Sequence, residues 1–417
     1  MGSHEVADLG LADEGERRIA WASEQMPVLD RIAERFAGAR PLEGIRVAAC
    51  LHVTAETANL VRVLGAGGAT VALCSANPLS VQDDVAAALV ARDGVEVRAR
   101  HGEPLQDYQR HVDALARGRP QITLDDGADL LLRAHELGNG ALDQLLGGTE
   151  ETTTGLVRLR RAQERGELRR PVLAVNEART ERALNDRHGT GQSALDGIVR
   201  ATNVLLAGRS VVVIGYGWAG QGVAERARGA GAAVIVCEID PLRALEARMA
   251  GYEVMPMLEA ARRGELFITV TGSREVVTHE HFERMKDGAL LANAGHFDVE
   301  FDLDALARLA GDRITEVRPL VERYTLEDGR RLNLLARGRV VNLAAAEGHP
   351  AAVMDVSFAL QALCVEALAL EPDAWAAGVH PVPVAIDHEV GLLKLAALGV
   401  EIDRPTEEQR RYMRSWG

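Results

Sequence analysis

The feature that most constrains this chain is the run Ser210-Val211-Val212-Val213-Ile214-Gly215-Tyr216-Gly217-Trp218-Ala219-Gly220. Its β-branched residues predict a buried strand that enters a G-x-G-x-x-G turn, and residues 221–230 then read as a helix. Strand, glycine turn and helix in that order build a dinucleotide-binding unit. Gly215 permits the tight turn, Gly217 lets backbone approach a pyrophosphate, and Gly220 lets the helix pack closely on the strand. The helix N-terminus then offers free N–H groups and the positive end of a dipole to the phosphates. A second strand is expected over 232–236. Glu238 follows it, 23 residues beyond Gly215, where a carboxylate meets a ribose 2′-hydroxyl. That carboxylate repels a 2′-phosphate, so the sequence points to NAD rather than NADP.

A unit of this size leaves most of the 417 residues unassigned. Residues 10–38 read as one amphipathic helix, with Val28, Leu29, Ile32, Ala33 and Phe36 on its apolar face. Strands are expected over 46–50, 70–74, 95–98, 121–124 and 172–175, with helices over 56–64 and 81–91 between them. After the glycine turn, further strands are expected over 266–271, 289–293 and 339–343, and a helix over 351–370 returns to the first half. The fold class is therefore α/β: two doubly wound Rossmann-like domains with parallel sheets, plus a small C-terminal segment. Residues 1–185 with 349–375 are expected to form a discontinuous substrate-binding domain. Residues 186–348 form the NAD-binding Rossmann domain and 376–417 the small segment.

Composition removes several function classes. A net charge of −14 opposes a nucleic-acid partner or an acidic membrane surface. No apolar run approaches the ~18 residues of a membrane span, and the first residues lack the basic and apolar regions of a secretion signal. Cys50, Cys74, Cys237 and Cys364 have no metal-ligand spacing, so no metal is expected; they read as reduced, buried thiols of a cytoplasmic protein.

Chemistry gathers at the expected strand ends, where doubly wound sheets bind ligands. These ends carry Leu51-His52-Val53-Thr54-Ala55-Glu56-Thr57 and Leu124-Asp125-Asp126-Gly127, and a loop carries Glu150-Glu151-Thr152-Thr153-Thr154-Gly155. For Thr54 or Asp126 alone, capping of the next helix is an equally good reading. Several polar strand ends in succession predict a cleft.

With Gly215-Tyr216-Gly217, Glu238-Ile239-Asp240-Pro241, Asn293-Ala294-Gly295-His296-Phe297-Asp298-Val299-Glu300 and Gly348-His349-Pro350 added, the chain resembles the S-adenosylhomocysteine hydrolase family along nearly its whole length. The resemblance implies a tightly held NAD that oxidises a nucleoside 3′-hydroxyl. The C4′ proton becomes acidic, the 5′-substituent leaves, water adds, and the hydride returns. It implies that Thr54, Glu56, His349 and Met354 hold an adenine nucleoside, with Asn176 and Asn185 also on the substrate. His52 and Asp126 would serve acid–base work near C5′, and Glu151 would grip the ribose hydroxyls. Thr152, Thr153, Thr154, Asp186, Glu238, Asn293 and Asn342 would join the three glycines at the cofactor, and His296 and Phe297 would gate the channel. It also implies a homo-oligomer, tetramer or dimer.

The resemblance breaks in one block. The family has an Asn, a Lys five residues on, and then an Asp-Asn pair; this chain has Asn176, Glu181 and Asn185-Asp186. A carboxylate at the Lys position inverts the local charge and resets nearby pKa values. Glu181 or Asp186 is then the candidate base. The family's C-terminal Lys and Tyr are also absent. These departures favour a reaction that stops at elimination, a net dehydration giving a 4′,5′-alkene nucleoside, over thioether hydrolysis and over a silent NAD-binding protein.

Overall fold

The structure is a computed structural model that describes residues 4–138, 140–295 and 298–415. Its first sheet is built from β1 (Arg46–Leu51), β2 (Thr70–Ser75), β3 (Glu96–Arg98), β4 (Ile122–Asp125), β5 (Gly147–Glu150) and β6 (Pro171–Ala174). The second contains β7 (Ser210–Ile214), β8 (Ala233–Cys237), β9 (Glu253–Val254), β10 (Leu266–Thr269), β11 (Ala289–Asn293), β12 (Ile314–Arg318), β13 (Val321–Thr325) and β14 (Arg331–Leu335). A late strand, β15 (Gly378–Pro381), returns to the first sheet.

The first sheet runs β15-β6-β5-β4-β1-β2-β3, with every pairing parallel. The second runs β12-β13-β14-β11-β10-β7-β8-β9, parallel from β9 to β14, with β13 and β12 added antiparallel. The parallel part of each order reverses direction once, between β1 and β4 in the first sheet and between β7 and β10 in the second. Loops leaving adjacent strands diverge to opposite faces there and open a crevice.

Several expected elements are corrected. The helix over 10–38 is two, Ala12–Ser23 and Pro27–Ala39, because Pro27 starts the second, where its missing N–H costs nothing. The break positions a brace. Buried Asp355 accepts from the backbone N–H groups of Val28 and Leu29, 3.0 Å each, and pairs with Lys394 at 2.8 Å. Strand β5 was not expected; its last residue, Glu150, and the helix start at Thr153 were read as parts of one loop over 150–155. The glycines of β5 hid it: a Cβ at Gly148 would lie 2.5 Å from the Thr123 hydroxyl, and one at Gly147 2.9 Å from the Pro171 carbonyl.

No strand forms over 339–343; Val341–Ala344 is a short helix and Val340 makes only an isolated bridge to Asn293. The place beside β11 is filled by β14, which the sequence reading missed along with β12 and β13. Every residue of β12 is exposed, so that edge strand shows no apolar alternation. The C-terminal segment does not stand apart: β15 lies beside β6, and helix Val384–Ala397 packs on helix Ala351–Leu370. That 20-residue helix has the length and apolar composition to cross a membrane, but it is 67% buried within the fold and carries buried Asp355, Ser357 and Gln361. All four cysteines are free and buried, as expected.

Candidate active site

The two reversal points face one cavity of about 1570 Å³. Drug-sized pockets occupy ~300–1,000 Å³, so this one has room for a dinucleotide and a second molecule.

On the second sheet, β7 ends at the glycine turn. Gly215 has φ +103°, a conformation that disfavours any side chain, and a Cβ at Gly220 would lie 2.1 Å from the Gly215 carbonyl oxygen. Gly217 differs. A Cβ there would meet only the Arg243 guanidinium, at 3.6 Å, so the space beside it belongs to the cavity. Helix Trp218–Gly229 begins at this point with no side-chain cap, which leaves its first N–H groups for a ligand. Glu238 lines the cavity at the end of β8. Its carboxylate accepts from the N–H groups of Tyr216 (2.7 Å), Ile239 (2.7 Å) and Asp240 (3.0 Å), which fix it beside the turn. Asn342 also lines the cavity; its amide nitrogen donates to Ser193 at 3.1 Å while its buried Oδ1 has no partner. A dinucleotide fits this cradle. Asn293 lies behind it, not on it: it accepts from Thr269 and Gly295 and donates to the Gly338 carbonyl, tying the strand ends together.

On the first sheet, His52 follows β1 and Asp126 follows β4, the two strands at the reversal. His52 Nε2 lies 3.3 Å from Asp126, and Nδ1 lies 2.5 Å from the Ser80 hydroxyl. The ring is thereby fixed between an acid and a hydroxyl, and Asp126 Oδ1 is buried without a partner. Thr54 and Glu56 line the same end, near half-buried His349 and Met354. Thr54 also caps helix Ala55–Ala66, so for it the capping reading holds; Thr152, for which no capping was expected, caps Thr153–Glu164. Thr153 donates to Asn176 at 2.8 Å, and Thr154 lines the cavity. Burial and the neighbouring His52 push the His349 pKa down to about 4, which keeps that ring neutral beside the Thr190 hydroxyl at 3.2 Å.

Between the two ends lies a segment whose winding the sequence did not reveal. Glu181–Gly189 is a π-helix that runs into α-helix Thr190–Thr202. With about 4.4 residues per turn rather than 3.6, positions i, i+4 and i+5 share a face. The π winding therefore turns Glu181, Asn185 and Asp186 together into the cavity; in an α-helix Asp186 would point away. Glu151, at the end of β5, accepts short hydrogen bonds from Ser357 and Gln361 of the long apolar helix. Burial pushes its pKa up to about 7, and that of Asp186, 3.5 Å from the Asn176 amide, to about 6. Glu181 is 1% exposed, and burial with repulsion from Glu151 and Asp186 drives its pKa well above the carboxylate range.

Thus His52, Asp126, Glu151, Glu181 and Asp186 line one cavity with Asn176, Asn185 and the Thr152–Thr154 run. His296 and Phe297 lie outside the described residues. Ser357 and Gln361 were missed, although polar residues four apart in an otherwise apolar helix are a signal.

Known proteins agree with this geometry. A sequence model of the S-adenosyl-L-homocysteine hydrolase NAD binding domain matches residues 186–348, and one of S-adenosyl-L-homocysteine hydrolase matches residues 3–141. The chain is similar to an adenosylhomocysteinase of Aquifex aeolicus, 55% identical over 412 residues, 99% of this chain and 98% of that one. It is also similar to an S-inosyl-L-homocysteine hydrolase of Methanopyrus kandleri, 52% identical over 100% of this chain and 98% of that one. An adenosylhomocysteinase of Saccharolobus solfataricus is 51% identical over 99% of both chains. The cofactor of the glycine cradle is NAD. The chain belongs to the S-adenosyl-L-homocysteine hydrolase family of NAD-dependent enzymes.

Proposed function

We propose that this chain cleaves a purine nucleoside 5′-thioether of the S-adenosylhomocysteine type, releasing nucleoside and thiol by oxidation, elimination and water addition. The observation that carries this reading is the meeting of two acid–base sets, His52–Asp126 and Glu151–Glu181–Asp186, in the cavity that the cofactor cradle opens into. Bound NAD accepts and later returns one hydride. The chain's own groups handle the protons. The carboxylate set takes the 3′-hydroxyl proton, and the His52–Asp126 pair, fixed by Ser80, acts at C5′ as the substituent leaves and water enters. Relatives named for adenosyl and for inosyl thioethers are 55% and 52% identical to this chain, so adenine and hypoxanthine are both candidate bases at the Thr54, Glu56 and His349 end.

The relatives move thioether hydrolysis ahead of the dehydration favoured from sequence. One observation keeps dehydration as a second reading. Glu151, Glu181 and Asp186 all hold protons more tightly than ordinary carboxyls, and Glu181 stands where a cation was expected. Hydroxide is a far poorer leaving group than a thiolate and requires a proton donor. A cavity whose carboxyls hold protons to higher pH than usual suits that departure.

Mass spectrometry after incubation with S-adenosylhomocysteine, S-inosylhomocysteine and adenosine decides between them. Release of homocysteine supports hydrolysis, loss of 18 mass units, or about one water, from adenosine supports dehydration, and no change in any substrate refutes both readings.

A further inference from the structure

Glu181 Oε2 is a buried oxygen with no hydrogen-bond partner, in a cavity wall. Such an atom costs stability unless a ligand completes it. The charged groups acting on Glu181 are the carboxylates of Glu151 and Asp186, and those acting on Glu151 are Asp126 and Asp186. All are negative. The long helix behind them contributes the uncharged Ser357, which acts on both Glu151 and Glu181, and Gln361, which donates to Glu151. Arg182, which also lines the cavity, acts on Asp186 and pairs with Glu177 at 3.4 Å. Adjacent buried carboxyls do not both ionise, so Glu151 and Glu181 keep a proton between them.

We propose that Glu151 and Glu181 work as one acid pair that takes the proton of the substrate's sugar hydroxyl and selects sugars presenting a hydrogen-bond donor at that carbon. This rests on the nucleoside oxidation described above. The step balances: the carbinol C–H leaves as hydride to NAD⁺, the O–H proton passes to the ionised oxygen of the pair, and the alcohol becomes a ketone. The pair goes from one proton to two and returns one when the ketone is reduced. The selection follows from charge. An amine in place of the hydroxyl places a cation against the pair and binds more tightly, while a phosphate is repelled.

The test uses full-length protein loaded with NAD, with Glu181→Gln and Glu181→Asp as variants and retained NAD and melting temperature as checks of folding. In binding titrations, 3′-amino-3′-deoxyadenosine should bind the parent roughly tenfold or more tighter than adenosine, as a charge-assisted hydrogen bond gives. Glu181→Gln should weaken that preference, since the oxygen facing the ligand is lost while Glu151 keeps its charge, and Glu181→Asp should retain it. Stopped-flow absorbance of bound NADH after adding adenosine should fall by about 10²–10⁴ in rate for Glu181→Gln. An amine preference unchanged in Glu181→Gln, or NADH formed at the parent rate, overturns the proposal. If the parent forms NADH but never releases homocysteine, thioether hydrolysis fails while the acid pair stands.

Discussion

Gly222→Ala should pull apart the contact that holds the carboxylate-bearing π segment against the cofactor helix. Gly222 lies in helix Trp218–Gly229, facing Glu181–Gly189. A Cβ at that position would sit 1.7 Å from the Arg187 carbonyl oxygen, 2.6 Å from its carbon and 3.0 Å from its Cα. These are backbone atoms, so no rotamer relieves the clash. Close C···O contacts fall near 3.3 Å, so the two segments must separate by roughly 1.5 Å. Sliding is blocked as well, because a Cβ at Gly191 would already be 2.6 Å from the Gly222 carbonyl carbon. Alanine favours a helix by about 1 kcal/mol over glycine, and overpacking of this severity costs more, leaving a net loss of about 1–3 kcal/mol. Gly229 gives the internal control. It belongs to the same helix, yet a Cβ there meets nothing within 4 Å. Gly229→Ala should therefore stabilise by about 0.4–1 kcal/mol. Urea unfolding of the NAD-free proteins should separate the two variants by about 1.4–4 kcal/mol, and nucleoside affinity should drop only for Gly222→Ala. Equal stability of the two variants would refute the backbone contact on which the placement of Glu181, Asn185 and Asp186 rests.

Glu238→Ala removes both the ribose acceptor and the partner of three backbone N–H groups; retained NAD after gel filtration should fall as affinity drops ~10–100-fold, and retention equal to the parent would contradict the assigned cradle. His52→Ala should still convert bound NAD⁺ to NADH on adding substrate but slow product release by ~10²–10⁴, because acid assistance at C5′ follows oxidation; loss of both signals together would remove that division of labour. Stability should fall as pH rises from 7 to 8.5. Asp125 and Glu151, raised to about 7 by burial, and Glu181, raised well above the ordinary carboxylate range, bind protons in the fold that the unfolded chain has released. That stabilisation is complete below the unfolded carboxyl range and is lost through the folded values. His135, His281 and His349, all depressed by burial, act in the opposite sense only below about pH 6.5. A melting temperature that is flat or rising between pH 7 and 8.5 would show these carboxyls ionised in the fold.

The legible parts of this protein are those where one residue type answers one physical demand. The glycine turn was readable because Gly215 and Gly220 each meet a steric limit that no other residue satisfies. β7 was readable because burial on both faces requires an uninterrupted apolar run. Strand β5 was not, because its glycines serve close approach to β4 and β6 and resemble a loop in composition. Nor was β12, whose wholly exposed residues leave no pattern. Among site residues, His52 and Asp126 were found because they follow strands, whereas Ser357 and Gln361 were hidden inside the most apolar helix of the chain. The pairing of Asn185 and Asp186 with Glu181 on one face was beyond a reading based on the α-helical period.

That last point bears on how the site controls charge. An α-helical path through 181–189 would present Glu181 and Asn185 and turn Asp186 outward, leaving a cavity with one fewer carboxyl. The π winding adds the third acid and places it 3.5 Å from the Asn176 amide, whose oxygen is held by Thr153 at the start of the next wall. Each acid thus has a different support: Glu151 has two donors, Asp186 has one amide and the influence of Arg182, and Glu181 draws on Ser357 and Asn185 while its Oε2 has no partner. Unequal support separates carboxyls that would otherwise titrate alike. The least supported oxygen is then the one left for substrate. A π turn is also the easier winding to lose, since it inserts a residue that an α-helix excludes. Deleting one residue from the exposed side of the turn, Ala183, should therefore restore α-helical winding, with Glu181 and the Asn185-Asp186 pair brought one position closer in sequence. Amide exchange would show stronger protection across the segment, while the amine-over-hydroxyl preference is kept, because positions i, i+3 and i+4 share one α-helical face. A folded deletion variant that loses that preference would mean the acids are not presented by this face.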